Sequence, residues 1–130
     1  MPFVRISLLR GRSPAQLRAI ADGVHQALIT AYAIPPEDRF QVIEQCAPEE
    51  FFYDPDYLGM RRSDQVVFVH IVAGNWRATA AKQALFAAIA ENLVRDAGMR
   101  AEDVQVILSP NGRDEWSFGN GLASYIAAHA

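Results

Sequence analysis

The sequence predicts an α+β domain made of a duplicated β-α-β unit, with four strands in one mixed sheet and two helices on one face. Three observations carry that prediction. The first is an internal repeat. Phe3-Val4-Arg5-Ile6 reads against Phe68-Val69-His70-Ile71 at an offset of 65, and Arg12 falls on Arg77 at the same offset. Glu37-Asp38 falls on Glu102-Asp103, and Gln41-Val42-Ile43 matches Gln105-Val106-Ile107 after a slip of one residue. The second is that each half reads as strand, helix, strand. The third is size: 130 residues with a 51% hydrophobic share suit a single domain over positions 1–130 with one core.

The elements follow in order. Phe3 to Leu9 is a short apolar run with β-branched residues, bounded by Gly11. Ser13-Pro14 opens a helix, with Ser as N-cap and Pro at the first helical position. Leu17, Ile20, Ala21, Val24, Leu28 and Ala31 keep helical spacing, and Pro35-Pro36 closes the segment. Phe40 to Ile43 is the second strand. Residues Ala47 to Asp64 connect the halves, with turn signals at Asp54-Pro55 and Gly59. Val66 to Val72 is a nearly continuous apolar strand, as expected of one buried on both faces. Thr79 to about Ala97 is an Ala-rich helix that Gly98 ends, and Val104 to Leu108 is the fourth strand. The pseudo-repeats thus cover about residues 2–46 and 66–108. A tail over 109–130 carries a polar loop, aromatic residues and a short apolar end. The sheet face away from the helices is expected to be apolar and uncovered, which predicts an oligomer.

Composition excludes several classes. The net charge of −3 leaves no basic footprint for nucleic acid. No apolar stretch is long enough to cross a bilayer. The first residues alternate rather than forming a basic leader and an apolar segment, so they do not read as a signal peptide. A single cysteine, Cys46, rules out an intrachain disulfide and fits a reducing cytoplasm. His25, His70 and His129 are scattered without metal-ligand spacing. No glycine-rich phosphate loop appears.

Pro2 is the residue with distinctive chemistry. Freed of Met1, it would carry a secondary amine on a rigid ring. An α-amino group titrates at roughly 7.7–8.0. Burial or a nearby arginine lowers that value and makes the amine a base near neutral pH, whereas a nearby carboxylate raises it. The plain alternative is a tolerated residue leading into the first strand.

Several motifs together resemble the tautomerase superfamily, in the branch of malonate semialdehyde decarboxylase. They are Met1-Pro2-Phe3-Val4-Arg5-Ile6 with Gly11-Arg12-Ser13-Pro14-Ala15-Gln16, the loop Ile34-Pro35-Pro36-Glu37-Asp38-Arg39-Phe40-Gln41, and Tyr53-Asp54-Pro55-Asp56-Tyr57-Leu58-Gly59. Arg77 with Lys82 and Glu115-Trp116-Ser117-Phe118-Gly119-Asn120-Gly121 complete the set. The resemblance runs from Pro2 to about Tyr125. It implies a homotrimer, no metal, no organic cofactor and a small oxo-acid substrate. Pro2 matches the catalytic terminal proline, Asp38 the aspartate that orients or activates the reacting group, and Arg77 the second of two carboxylate-binding arginines. Asn75 occupies the place of the first arginine, Trp76 sits where a proline is expected, and the segment holds one extra residue. Asparagine donates hydrogen bonds but neutralises no carboxylate, which favours keto-enol proton transfer over decarboxylation. Trp116 and Phe118 are expected to wall the substrate pocket.

Three functions therefore stand at this point: a proline-based tautomerase, a decarboxylase or hydratase of a 3-oxo acid, and a catalytically silent trimeric scaffold. Structural roles compete for each residue. Asp38 lies in a turn with a counterpart in Asp103, and Arg12 shares the strand-to-helix position of Arg77. Trp116 and Phe118 also suit a core or a subunit contact.

Overall fold

Alternation decides the first strand, β1 (Phe3–Leu9): Val4, Ile6 and Leu8 are buried while Arg5 is exposed. The computed structural model describes residues 1–127 and continues with α1 (Pro14–Tyr32), β2 (Gln41–Cys46), β3 (Val67–Gly74), α2 (Thr79–Ala97), β4 (Val104–Asn111) and a short α3 (Ser124–Ala127). His129 lies outside the described residues.

The helix start is as expected and is reinforced. Gln16 N–H donates to Ser13 Oγ at 3.2 Å and Ser13 N–H donates to Gln16 Oε1 at 2.9 Å, a reciprocal capping box around Pro14. The helix stops at Tyr32, earlier than the prolines, because Ala33 turns into the left-handed region at φ 55°. Gly98 ends α2 in the same conformation at φ 64°, at no side-chain cost.

The strand order is β2-β1-β3-β4. β1 and β2 run parallel, β3 and β4 run parallel, and the two units join antiparallel through β1 and β3, with Arg5 opposite His70. The sheet is therefore mixed, as predicted. Val4, Ile6, Leu8, Val67, Val69 and Ile71 face the helices and pack with Ile20, Val24 and Leu28 of α1 and Leu85, Ile89 and Leu93 of α2. Both helices lie on that one face. They meet at Gly23, where a Cβ would come within 2.8 Å of Leu93 Cδ2 and where Asn92 Nδ2 donates to the Gly23 carbonyl at 3.0 Å.

Two expectations need correction. The face away from the helices is not uniformly apolar. The register sets Ser7 beside Glu44, and Arg5 reaches the same carboxylate: Arg5 Nη1 lies 3.0 Å from Glu44 Oε1 and Ser7 Oγ donates to Oε2 at 3.1 Å. His70 Nε2 meets Ser109 Oγ at 2.7 Å. Phe51, from the connector, stacks on Phe68 with centroids 4.5 Å apart and covers part of this face, while Val42 and Ile107 stay exposed. The strands also run longer than composition suggested. β2 pairs with β1 as far as Leu9 and Cys46, and β4 pairs with β3 as far as Gly74 and Asn111. Pro110 is compatible with β4 because β4 is an edge strand, where proline's missing N–H is tolerated.

The connector is anchored by polar groups. Asp103, fully buried, accepts from Ser63 N–H at 2.7 Å and Ser63 Oγ at 2.6 Å. Arg12 donates to the Gln65 carbonyl. Arg62 donates to the carbonyls of Asp54 at 3.3 Å and Tyr57 at 3.0 Å.

The close helix contact gives a direct test. Gly23→Val forces Leu93 from its place, and overpacking of this kind costs about 1–3 kcal/mol. A lower urea midpoint with an unchanged m-value is the expected result.

Candidate active site

Sheet order alone gathers the candidate residues at one end of the fold. β1 runs parallel to β2, so its start lies beside the start of β2 and the loop that carries Asp38. β1 runs antiparallel to β3, so the same start lies beside the end of β3 and the turn that carries Arg77. The end of β4, leading to Trp116, joins them because β4 follows β3 in parallel.

The loop of Asp38 is fastened to α1 at three points. His25 Nε2 lies 2.7 Å from the Pro36 carbonyl; a carbonyl only accepts, so Nε2 carries the proton. Arg39 Nη2 pairs with Asp22 at 2.6 Å and its Nε donates to Gln41 Oε1 at 2.8 Å. Gln41 Nε2 in turn donates to the Ala21 carbonyl at 2.9 Å. Val4 N–H donates to the Phe40 carbonyl at 3.0 Å and ties the start of β1 to the same loop.

Asp38 Oδ2 contacts the amine of Met1, and Pro2 behind it is buried. Burial, and then the positive charge of Arg77, lower the pKa of this amine from 8.0 to about 5. The carboxylate of Asp38 acts in the opposite sense, since an adjacent anion favours the ammonium.

Arg77 follows β3. Its guanidinium lies 4.5 Å from the centroid of the Tyr32 ring and 5.0 Å from that of Trp76. Burial holds its pKa below the usual guanidinium range; Tyr32 and Tyr125 oppose this and Arg113 adds to it. Nη1 of Arg77 is buried without a hydrogen-bond partner among the described residues, and so is the hydroxyl of Tyr125. Buried donors of this kind are costly unless something accepts from them.

An aromatic row joins the two loops. Phe40 lies 5.6 Å from Phe118, Phe118 lies 5.4 Å from Trp116 and 5.7 Å from Tyr125, and Tyr125 lies 6.5 Å from Trp76. Trp116 Nε1 donates to Asn111 Oδ1 at 2.7 Å. The row includes Trp116 and Phe118, the two residues singled out from the sequence. Asn75 is exposed, and its backbone N–H donates to the Asn111 carbonyl at 2.9 Å. Gly74 leaves space for the Trp76 ring, which would collide with any Cβ at that position.

Composition alone gave no role to Tyr32, Trp76, Tyr125, Arg113 or His25. One signal was present for Tyr32: it continues the helical series one turn after Leu28, at the helix end nearest the site. A hollow of about 290 Å³ includes Tyr32, Gly74 and Lys82 in its lining. A larger open groove of about 610 Å³ runs between α1 and β2 and is lined by none of Pro2, Asp38 and Arg77. The chemistry, not the volume, identifies the site. Among the described residues no group of three His, Cys, Asp or Glu side chains is placed to hold a metal, and no helix is long and apolar enough to cross a membrane.

Two family models, both described as tautomerase enzyme, match this sequence, one over residues 38–119 and the other over residues 2–61. The chain belongs to the tautomerase family. The probable tautomerase YusQ of Bacillus subtilis (strain 168) is 42% identical over 126 residues, which are 97% of this chain and 99% of that protein. Among solved structures, the fold superposes on a malonate semialdehyde decarboxylase with a TM-score of 0.92 at 31% identity, covering 97% of each chain. The FG41 malonate semialdehyde decarboxylase, inhibited by 3-bromopropiolate, gives a TM-score of 0.91 at 39% identity over 98% of this chain and 97% of that one. A fused 4-OT symmetric trimer shares the fold at 18% identity with a TM-score of 0.79. This tautomerase is accordingly an enzyme of the superfamily's malonate semialdehyde decarboxylase-like branch, with the duplicated β-α-β fold.

The fit of Trp76 over Gly74 predicts a specific defect. Gly74→Ala displaces the indole from its seat. In a Trp116→Phe background, the remaining tryptophan should become more accessible to acrylamide quenching than in the Gly74 parent.

Proposed function

We propose that this tautomerase moves a proton between the carbon and oxygen of a small oxo acid by means of the ring nitrogen of Pro2, once Met1 has been removed. The observation that carries the reading is the meeting of three groups at one end of the sheet. They are the start of the chain, where the amine of Met1 stands ahead of the buried Pro2, the carboxylate of Asp38, and the guanidinium of Arg77 with a buried N–H that lacks an acceptor among the described residues. While Met1 is attached, the nitrogen of Pro2 is a tertiary amide and neither base nor nucleophile.

In this account Arg77 receives the substrate carboxylate through a charge-assisted hydrogen bond. For ketonisation, the enol oxygen loses its proton, the C=O bond forms, and the carbon takes a proton from the ammonium of Pro2. Asp38 orients the enol oxygen or a water that accepts its proton, and solvent reprotonates the amine. The reverse direction uses the amine as base. Trp116 and Phe118 exclude water, which strengthens the charge interactions, and Asn75 contributes a neutral donor at the mouth. The enzyme works as a homotrimer and needs no cofactor.

One observation favours a second reaction. The two solved structures at 31% and 39% identity are both malonate semialdehyde decarboxylases. A protonated Pro2 donates a hydrogen bond to the carbonyl of a 3-oxo acid; as carbon dioxide leaves, the electron pair of the breaking C–C bond passes into that carbonyl as an enolate, whose carbon then takes a proton from the ammonium, and solvent restores the ammonium. Incubation with phenylenolpyruvate and with malonate semialdehyde separates the two. Ketonisation without carbon dioxide release supports the first; the converse supports the second.

Two outcomes are expected of variants. The intact mass of active protein lacks one methionine, and Pro2→Ala loses at least about a hundredfold in kcat/KM, the scale of general acid–base catalysis. The base form of the amine exists above its pKa, so ketone-to-enol activity rises with pH through that pKa. Removing the positive charge in Arg77→Ala raises the amine's pKa and moves this limb to higher pH. A limb that stays fixed in the variant contradicts the role given to Arg77.

A further inference from the structure

We propose that Arg113 is a second anion-binding residue, which with Arg77 receives the substrate carboxylate beside Trp76 and sets a preference for charged over neutral substrates. The inference rests on the reading of Arg77 as the carboxylate receptor and extends it to a residue in the turn after β4.

Five observations carry it. The guanidinium of Arg113 lies 4.3 Å from the Trp76 ring centroid and 6.0 Å from that of Tyr125. Arg77 approaches the same indole at 5.0 Å, so two cations share one aromatic ring. Neither is in an ion pair or a side-chain hydrogen bond among the described residues, whereas Arg5, Arg18, Arg39, Arg95 and Arg100 are each paired with a carboxylate and Arg10, Arg12 and Arg62 donate to backbone carbonyls. Glu115, two residues on, is already engaged, its Oε1 accepting from Gly112 N–H at 2.7 Å. Finally, the buried hydroxyl of Tyr125 and Nη1 of Arg77 both lack a hydrogen-bond partner among the described residues, in side chains that contact Trp76.

Physical chemistry turns these into a site. Two like charges beside one ring repel, and the charge of Arg113 is close enough to contribute to the lowered pKa of Arg77. The ring quadrupole offsets part of that repulsion, but it satisfies no N–H. A guanidinium stacked over a ring keeps its in-plane donors free, and those donors match a carboxylate in a fork geometry. A carboxylate therefore relieves the repulsion and supplies acceptors where buried donors lack them. Arg77 is the inner, half-buried cation and Arg113 the exposed one. Asn75, exposed at the same turn, brings no charge of its own, which leaves Arg113 as the second cation over Trp76.

The test reads binding, so it stands apart from catalysis. Titration calorimetry would follow phenylpyruvate and its methyl ester on the processed enzyme, on Arg113→Met and on Arg113→Lys. Methionine keeps an apolar stem against Trp76 and removes the charge. The expected result is about a tenfold weaker Kd for the acid in Arg113→Met, the scale of one exposed charge-assisted contact. Arg113→Lys recovers part of the loss, and the Kd of the ester stays the same in all three. In steady-state assays with phenylenolpyruvate the loss appears in KM. Equal Kd values for the acid in wild type and Arg113→Met would overturn the proposal. So would a parallel loss for the ester, or no binding of phenylpyruvate by the wild type. Should Arg113→Met not fold, Arg113→Gln takes its place in the same titration, and an unchanged Kd for the acid in that variant overturns the proposal. The two readings fail separately: an active Pro2→Ala removes the proline mechanism, whereas an unchanged Kd in Arg113→Met removes only the second arginine.

Discussion

The start of the chain lies in the interior of the sheet. β1 is bordered by β2 on one side and β3 on the other, so its first residues cannot peel away without breaking two ladders. A charged amine is thereby carried into a partly buried place, which is unfavourable unless its charge is paired or lost. The fold meets that demand with Asp38, and it fixes Asp38 by tying its loop to α1 through His25, Arg39 and Gln41. The amine and the carboxylate are thus set by strand order and loop anchoring together, before any substrate is considered.

The internal repeat shows what the same framework does without a chain end. Arg12 and Asp103 are the counterparts of Arg77 and Asp38. In that copy the chain is continuous. Asp103 is fully buried and accepts two hydrogen bonds from Ser63, and Arg12 donates to the carbonyl of Gln65. Both groups are satisfied internally and hold the connector. In the other copy Asp38 stays partly exposed and Arg77 keeps a buried N–H without an acceptor. One plan therefore yields a closed polar joint at one end of the sheet and an open one at the other.

Much of this was legible in the sequence wherever the signal is local. Ser13-Pro14 and Gly98 mark helix ends by short-range chemistry, and the offset of 65 announces the duplicated unit. Pro2, Asp38 and Arg77 stood out by position and motif, and they converge because β1 pairs with both partners. What stayed hidden depends on distant pairings. His25 matters through a carbonyl eleven residues away, Trp76 through the missing side chain of Gly74, and Arg113 through an indole on another turn. The strands of the second half also outran their composition. Pro110 looks like a strand breaker, yet an edge position lets β4 continue to Asn111. The outer sheet face was expected to be apolar, but the register brings Arg5, Ser7 and Glu44 together on it, a pairing between distant strands that composition does not reveal.

The contact between the terminal amine and Asp38 has a practical side. A purification tag or fusion partner placed ahead of β1 converts that amine into an amide. The carboxylate of Asp38 would then face a neutral group, and the added chain would have to leave through the mouth between the Asp38 and Arg77 loops. In the proposed mechanism, recombinant protein carrying such an extension would fold through the same core and yet lack the reactive amine, which belongs to no side chain.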